Sequence, residues 1–155
     1  MSVWKETPRL DGVRVLLVED VPQVRDAVAD ALGQCGARVT AVDSAVTGLA
    51  MLKQEAPDVL VSSLSMPDRD GYWLIREVRK LPPDRGGAVP AAAFTGRTTV
   101  RDQLATLRAG FQYHLSKPVA LNKLAEVVAL LTHKPSEAGE DRPTGCDDLT
   151  CSTGG

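Results

Sequence analysis

The run Val13-Arg14-Val15-Leu16-Leu17-Val18 has five apolar residues in six and stops on two adjacent carboxylates, Glu19 and Asp20. A short Val- and Leu-rich run of this kind suits a strand buried on both faces, as in a parallel sheet. Val21-Pro22 follows, and proline is favoured in the first turn of a helix. A buried strand that ends on paired acids and turns straight into a helix puts negative charge at the carboxyl edge of a sheet. In open α/β sheets that edge is where ligands bind. Two nearby carboxylates repel unless a cation or a basic side chain lies between them. The edge therefore calls for a positive partner from elsewhere in the chain.

The same alternation then recurs. The first helix carries Val24, Ala27, Val28, Ala31 and Leu32 at helical spacing and is expected to end at Gly33 and Gly36. A second strand is expected over Arg38–Val42. Asp43 or Ser44 then caps a helix with apolar positions Val46, Leu49, Ala50 and Leu52, broken by Pro57. The third strand reads as Asp58–Ser63. The loop Leu64-Ser65-Met66-Pro67-Asp68-Arg69-Asp70-Gly71 leads to a helix whose inward stripe is Leu74, Ile75, Val78 and Leu81. After the loop from Pro82 to Gly87 come a fourth strand, Ala88–Phe94, and a helix carrying Val100, Leu104 and Leu107. A fifth strand, Phe111–Leu115, runs into Ser116-Lys117-Pro118. The last helix, Leu121–Leu131, has Leu121, Leu124, Val127, Val128 and Leu131 on one face. Five strands alternating with five helices through short loops argue for a parallel sheet covered on both faces.

Composition bounds what such a sheet can do. The chain has 155 residues, room for one domain, and a net charge of −2, which gives no general electrostatic case for nucleic acid or a membrane surface. No apolar run approaches the roughly 18–20 residues that span a bilayer. The first residues lack a signal peptide's apolar core, so the cytoplasm is the expected location. Residues 1–11 read as a lead-in, 12–132 as the domain, and 133–155 as a polar tail too poor in apolar residues to order itself. The 23 residues after Thr132 are too few and too polar for a DNA-binding or catalytic output unit. Cys35 reads as a buried or half-buried thiol, and Cys146 and Cys151 as tail thiols or a tail disulfide rather than a zinc site.

The strand ends deliver Glu19 and Asp20, Ser62 and Ser63, Thr95, and Lys117 to one rim. Acids, hydroxyls and an ammonium together suit a phosphoryl group with a divalent metal. Val-Glu-Asp after the first strand, Leu-Ser-Met-Pro-Asp-Arg-Asp-Gly after the third, Phe-Thr-Gly after the fourth and Leu-Ser-Lys-Pro after the fifth, in that order, resemble the receiver domain of bacterial response regulators. The similarity covers about Gly12 to Thr132. It implies a flavodoxin-like doubly wound five-stranded sheet of order 2-1-3-4-5. It also implies an Mg²⁺ site at Glu19 and Asp20, with Asp20 the direct ligand and the Ser65 backbone carbonyl assisting. Thr95 and Lys117 would contact the phosphoryl group. The Lys117–Pro118 bond would be cis. Thr95 and His114 would be the switch pair, with histidine in a slot usually held by a larger aromatic. The partners implied are a sensor histidine kinase or another signalling protein. A second copy is also implied, through the face of the fourth helix, fifth strand and fifth helix, which includes His114, Arg101, Arg108 and Lys123.

One departure is central. The family's phosphoacceptor aspartate would stand three residues before Met66, where this chain has Ser63. Asp58 is too far back, and Asp68 and Asp70 lie beyond the Met-Pro turn, where a solvated loop or a helix cap is the role. A serine hydroxyl is not ionised at neutral pH and needs a general base to attack a phosphoryl group. Loss of one carboxylate also weakens a hard-cation site. Lys117 is then expected to act as counter-ion to Asp20. Two functions follow from the resemblance. One is a non-enzymatic signalling module acting through protein contacts without an aspartyl phosphate. The other is an ordinary receiver whose aspartate has been replaced by engineering. A flavin- or nucleotide-binding enzyme on the same fold is a remote third, since acids stand where glycines would cradle phosphate.

Overall fold

In a computed structural model, which describes residues 8–96, 99–118 and 120–132, the five strands are β1 (Arg14–Val18), β2 (Arg38–Val42), β3 (Val59–Ser63), β4 (Ala91–Thr95) and β5 (Tyr113–Ser116). The helices are α1 (Pro22–Gln34), α2 (Ala45–Glu55), α3 (Gly71–Arg79), α4 (Val100–Ala109) and α5 (Leu121–Thr132). The strands form one sheet in the order β2-β1-β3-β4-β5, every pair parallel. The tail expected to be disordered, with Cys146 and Cys151, lies outside the described residues, as does most of the lead-in.

Strand parity divides the core in two. Val15 and Leu17 of β1, Val59 and Val61 of β3, and Ala92 and Phe94 of β4 pack with Val28, Leu32, Leu124, Val127 and Val128 of α1 and α5. Their neighbours Leu16, Val18, Leu60, Ala91 and Ala93 pack on the other face with Leu52 of α2 and Leu74, Ile75 and Val78 of α3. Successive side chains alternate faces. Continuous apolar runs in β1, β3 and β4 are therefore the signature of a sheet covered on both sides. Cys35 is buried in the first cluster as a free thiol.

Several element ends differ from the sequence expectation, each for a local reason. Helix α1 runs through Gly33, and the chain turns at Gly36, which has φ 103°. Strand β4 starts at Ala91 rather than Ala88. A 3-10 turn at Pro83–Arg85 and the Val89 N–H bond to the Gly86 carbonyl occupy the approach, and Pro90 has no N–H for a ladder. Strand β5 begins at Tyr113, because the Phe111 N–H still donates to the Thr106 carbonyl at the end of α4. On α2 the inward residues are Ala45, Gly48 and Leu52, and Val46 is exposed. Gly48 is required because a Cβ there would reach 2.8 Å from Val18 Cγ2.

The largest difference is on α4. Val100, Leu104 and Leu107 were the positions expected to carry its apolar face, yet they are 72%, 45% and 47% exposed. The residue this helix buries is Thr106, whose hydroxyl donates to the Asp102 carbonyl. The stripe at i, i+4 and i+7 is real, but it is turned away from the sheet.

Candidate functional site

The register places the strand ends side by side. Val18 pairs with Ser62, Ser63 with Phe94, and Thr95 with Ser116. Glu19 follows Val18 and donates its N–H to the Val42 carbonyl, prolonging β1 by one residue. Parity then decides which side chains meet. Glu19, Ser63 and Phe94 fall in step with Leu17, Val61 and Ala92, so they share the α1/α5 face of the rim. Thr95 and Ser62 fall on the opposite face.

Lys117 completes the first group. Its backbone N–H donates to the Thr95 carbonyl at 2.8 Å, anchoring the residue just past β5. Its Nζ donates to Glu19 Oε1 at 3.0 Å and to Ser63 Oγ at 3.2 Å, and it lies 4.9 Å from the centre of the Phe94 ring. Glu19 and Ser63 are fully buried, while the Lys117 side chain keeps 27% of its exposure. The second Glu19 oxygen, Oε2, accepts the Val21 N–H at 2.9 Å, and the Glu19 carbonyl accepts from Arg25 Nη1 at 3.0 Å. A buried carboxylate thus has an ammonium on one oxygen and the first turn of α1 on the other. That saturation is what makes its burial tolerable. The peptide bond Lys117–Pro118 is cis.

The remaining sequence-nominated residues lie around this cluster. Asp20 is half-buried and makes no hydrogen bond or ion pair among the described residues. The expected Lys117–Asp20 pair is therefore corrected to Lys117–Glu19. The reason is parity, since Glu19 shares the face of Ser63 and Phe94 that the ammonium reaches. Thr95 is 2% exposed and lines a separate cleft of about 270 Å³ with Leu64, Ser65, Met66, Asp70 and Tyr72. Ser65 is exposed, and His114 is half-buried on β5, paired across the ladder with Ala93. Asp70 caps α3, accepting the Trp73 N–H at 2.9 Å, which is the role its place in the loop suggested. Gly71 brings α3 against β3, since a Cβ there would collide with the Ser63 carbonyl and sit 2.9 Å from Leu64 Cα.

The place of Phe94 had not been singled out, and Arg79, which with Arg76 and Lys80 reads in the sequence as a solvated helix face rather than a nucleic-acid patch, is corrected to a part-buried clamp. Phe94 supplies a ring beneath the ammonium, and its parity with Ser63 could have revealed it. Arg79, at the end of α3, donates to the Gly110 carbonyl through Nε and Nη2, to the Gly87 carbonyl through Nη1, and to Gln112 Oε1. Burial lowers its pKa, but an arginine stays protonated across the physiological range.

Each Glu19 oxygen already accepts one hydrogen bond and Ser63 contributes no charge, while Asp20 makes no hydrogen bond or ion pair among the described residues. Among the described residues no group of three or more His, Cys, Asp or Glu could hold a metal ion.

Residues 15–129 match the model of the response regulator receiver domain. The chain belongs to that family. It is 40% identical over 114 residues to an uncharacterised 14.6 kDa protein of Leptolyngbya boryana, covering 74% of this chain and 86% of that one. It is 35% identical over 141 residues to the response regulator MprA of Mycobacterium bovis, covering 90% of this chain but only 60% of MprA. Among solved structures, the receiver domain of the sensor histidine kinase PA1611 from Pseudomonas aeruginosa PAO1 is similar, with TM-score 0.71 and 28% identity, over 78% of this chain and 98% of that one. That structure has a magnesium ion coordinated in its active-site cleft. The five parallel strands in the order 2-1-3-4-5 are the flavodoxin-like fold expected of a receiver. Receiver domains are signalling modules of two-component systems, generally not enzymes, and they work with sensor histidine kinases. Among the described residues no helix is long and apolar enough to cross a membrane.

Proposed function

We propose that this receiver forms no aspartyl phosphate, because Ser63 occupies the acceptor position, and that it signals through protein contacts alone. The observation that carries this reading is the hydrogen bond from Lys117 Nζ to Ser63 Oγ at 3.2 Å. The hydroxyl's polar neighbour is an ammonium already ion-paired with Glu19. Such a group donates and cannot take the serine's proton, so among the described residues no general base of the kind a hydroxyl nucleophile requires is hydrogen-bonded to Ser63. Complete burial of Ser63 beneath Lys117 supports the same reading.

In this proposal Thr95 and Lys117 hold the places that would contact a phosphoryl group. Thr95 and His114 are the switch pair. Glu19, Asp20 and the Ser65 carbonyl are a divalent site too poor in free carboxylate to bind Mg²⁺ well. Output passes through the face of α4, β5 and α5, to a kinase, another signalling protein or a second copy. The exposed stripe of Val100, Leu104 and Leu107, flanked by the exposed Arg101 and Arg108, supports that face. Scattered exposed apolar residues mean little, but an aligned set on one helix marks an interaction surface.

The test is to incubate the protein and its Ser63→Asp variant with Mg²⁺ and acetyl phosphate and to measure phosphoryl incorporation. The parent is expected to take up none and the variant to take up one group. Incorporation by the parent at Ser63 would end the proposal. The retention of Glu19, Asp20, Thr95 and Lys117 around Ser63 favours a second reading, an ordinary receiver with an engineered serine at 63. The native gene's codon at that position separates the two.

A further inference from the structure

We propose that the acidic segment Asp147-Asp148-Leu149 of this chain docks on the outward face of α4 and competes for it with any partner. The inference rests on the reading of that face as the contact surface, given above, and names what covers it. It begins with the helix. Val100, Leu104 and Leu107 are exposed, so α4 presents its apolar stripe to solvent. At about 100° per residue, Arg101 and Arg108 fall within about 20° of each other and flank the stripe beside Leu104. Both arginines are exposed, and among the described residues neither makes a hydrogen bond or ion pair. The basic residues around α3 are already engaged. Arg69 stacks on Trp73 at 5.2 Å, Arg76 on Tyr72 at 5.7 Å, and Lys80 pairs with Glu77 at 3.0 Å. None of the exposed large apolar residues lies on α3.

An apolar ridge flanked by two unpaired cations is complementary to an anionic segment with an apolar anchor. The chain carries one. Residues 133–155 hold Glu137, Glu140, Asp141, Asp147 and Asp148 against Lys134 and Arg142, a net charge of −3, whereas the whole chain has −2. Leu149 is the one large aliphatic residue of that stretch, and two aspartates precede it directly. The fold brings the two within reach. Helices α4 and α5 both return from the carboxyl ends of parallel strands, so both finish at the amino edge of the sheet. Thr132 and Arg108 therefore lie at the same edge. The 15 residues from Thr132 to Asp147 span up to about 50 Å, against about 15 Å for the whole of α4. Tethering raises the local concentration of the segment far above that of a free partner, so a weak contact is enough to occupy the face.

The experiment places a nitroxide on Cys146 of the full chain carrying Cys151→Ser and reads the loss of backbone amide NMR signals. Cys146 adjoins Asp147, and Cys35 is buried away from the labelling reagent. The amides of Leu104, Leu107 and Arg108 are expected to lose more signal than those of any other helix. Asp147→Lys with Asp148→Lys is expected to restore them. Adding Arg101→Glu and Arg108→Glu to the reversed segment is expected to bring the loss back, a rescue that general stickiness would not give. Signal loss spread evenly over the surface, centred on Arg69 and Arg76, or indifferent to the charge reversals would overturn the proposal. So would an equal loss when the spin-labelled chain is mixed with an isotope-labelled chain bearing no nitroxide, since a second copy would then be the occupant. Unaltered association in Leu104→Gln would refute the reading of the face instead, and leaves the nitroxide measurement to judge the acidic segment alone.

Discussion

At Glu19 the molecule buries a charge completely and satisfies it from both sides. Breaking a buried ion pair from one side leaves the other charge stranded, at a cost of several kcal/mol. Lys117→Met is thus expected to lower the unfolding free energy by about 3 kcal/mol, measured by urea denaturation without added metal. Ser63→Ala removes one acceptor from an ammonium that keeps Glu19, so the expected loss is smaller, about 1 kcal/mol. Were the two variants equally destabilised, Glu19 would not be the ammonium's main partner. Of the residues that the sequence sent to one rim, Glu19, Ser63 and Lys117 meet there. Which acid the lysine would choose was not legible. Motif spacing places residues at strand ends, whereas the choice between Glu19 and Asp20 depends on which face of the sheet each side chain takes.

Elements hold this geometry through a few specific contacts between loops. The Arg79 guanidinium ties the end of α3 to the Gly87 and Gly110 carbonyls and to Gln112, whose Oε1 also accepts the Ala91 N–H at the start of β4. Arg79→Met strands these carbonyls and is expected to cost about 3 kcal/mol, several net hydrogen bonds, read as a lower urea midpoint at unchanged slope. A loss below about 0.5 kcal/mol, the level of an ordinary surface substitution, would show the clamp to be dispensable. The exposed stripe on α4 behaves in the opposite way. Leu104→Gln should leave stability within about 0.5 kcal/mol while weakening self-association or partner capture, read by sedimentation or pull-down. Unaltered association would rule this stripe out as the contact face. The periodicity of Val100, Leu104 and Leu107 identified a helix correctly but could not say which way it faced. A helical stripe aimed at a partner and one aimed at a core have the same spacing.

Across the whole molecule the architecture was the most legible feature, for a reason that lies in β1, β3 and β4. Their unbroken apolar runs fit only a sheet covered on both sides. Once that is granted, right-handed crossovers leave few ways to arrange five parallel strands. The same order brings β1, β3 and β5 close enough for Glu19, Ser63 and Lys117 to touch, although 98 residues separate the first from the last. The fold therefore assembles a receiver's rim around Ser63, which on the proposed reading changes what the rim can do. With an acid at position 63, the pocket would hold a nucleophile already ionised. On the proposed reading, the serine hydrogen-bonded to Lys117 leaves no such nucleophile there. The most direct measurement is intact-mass spectrometry of the parent chain and Ser63→Asp after exposure to acetyl phosphate and Mg²⁺. The expected result is an unchanged mass for the parent and a gain of one phosphoryl group for the variant. A phosphorylated parent, with the modification mapped to Ser63, would contradict it.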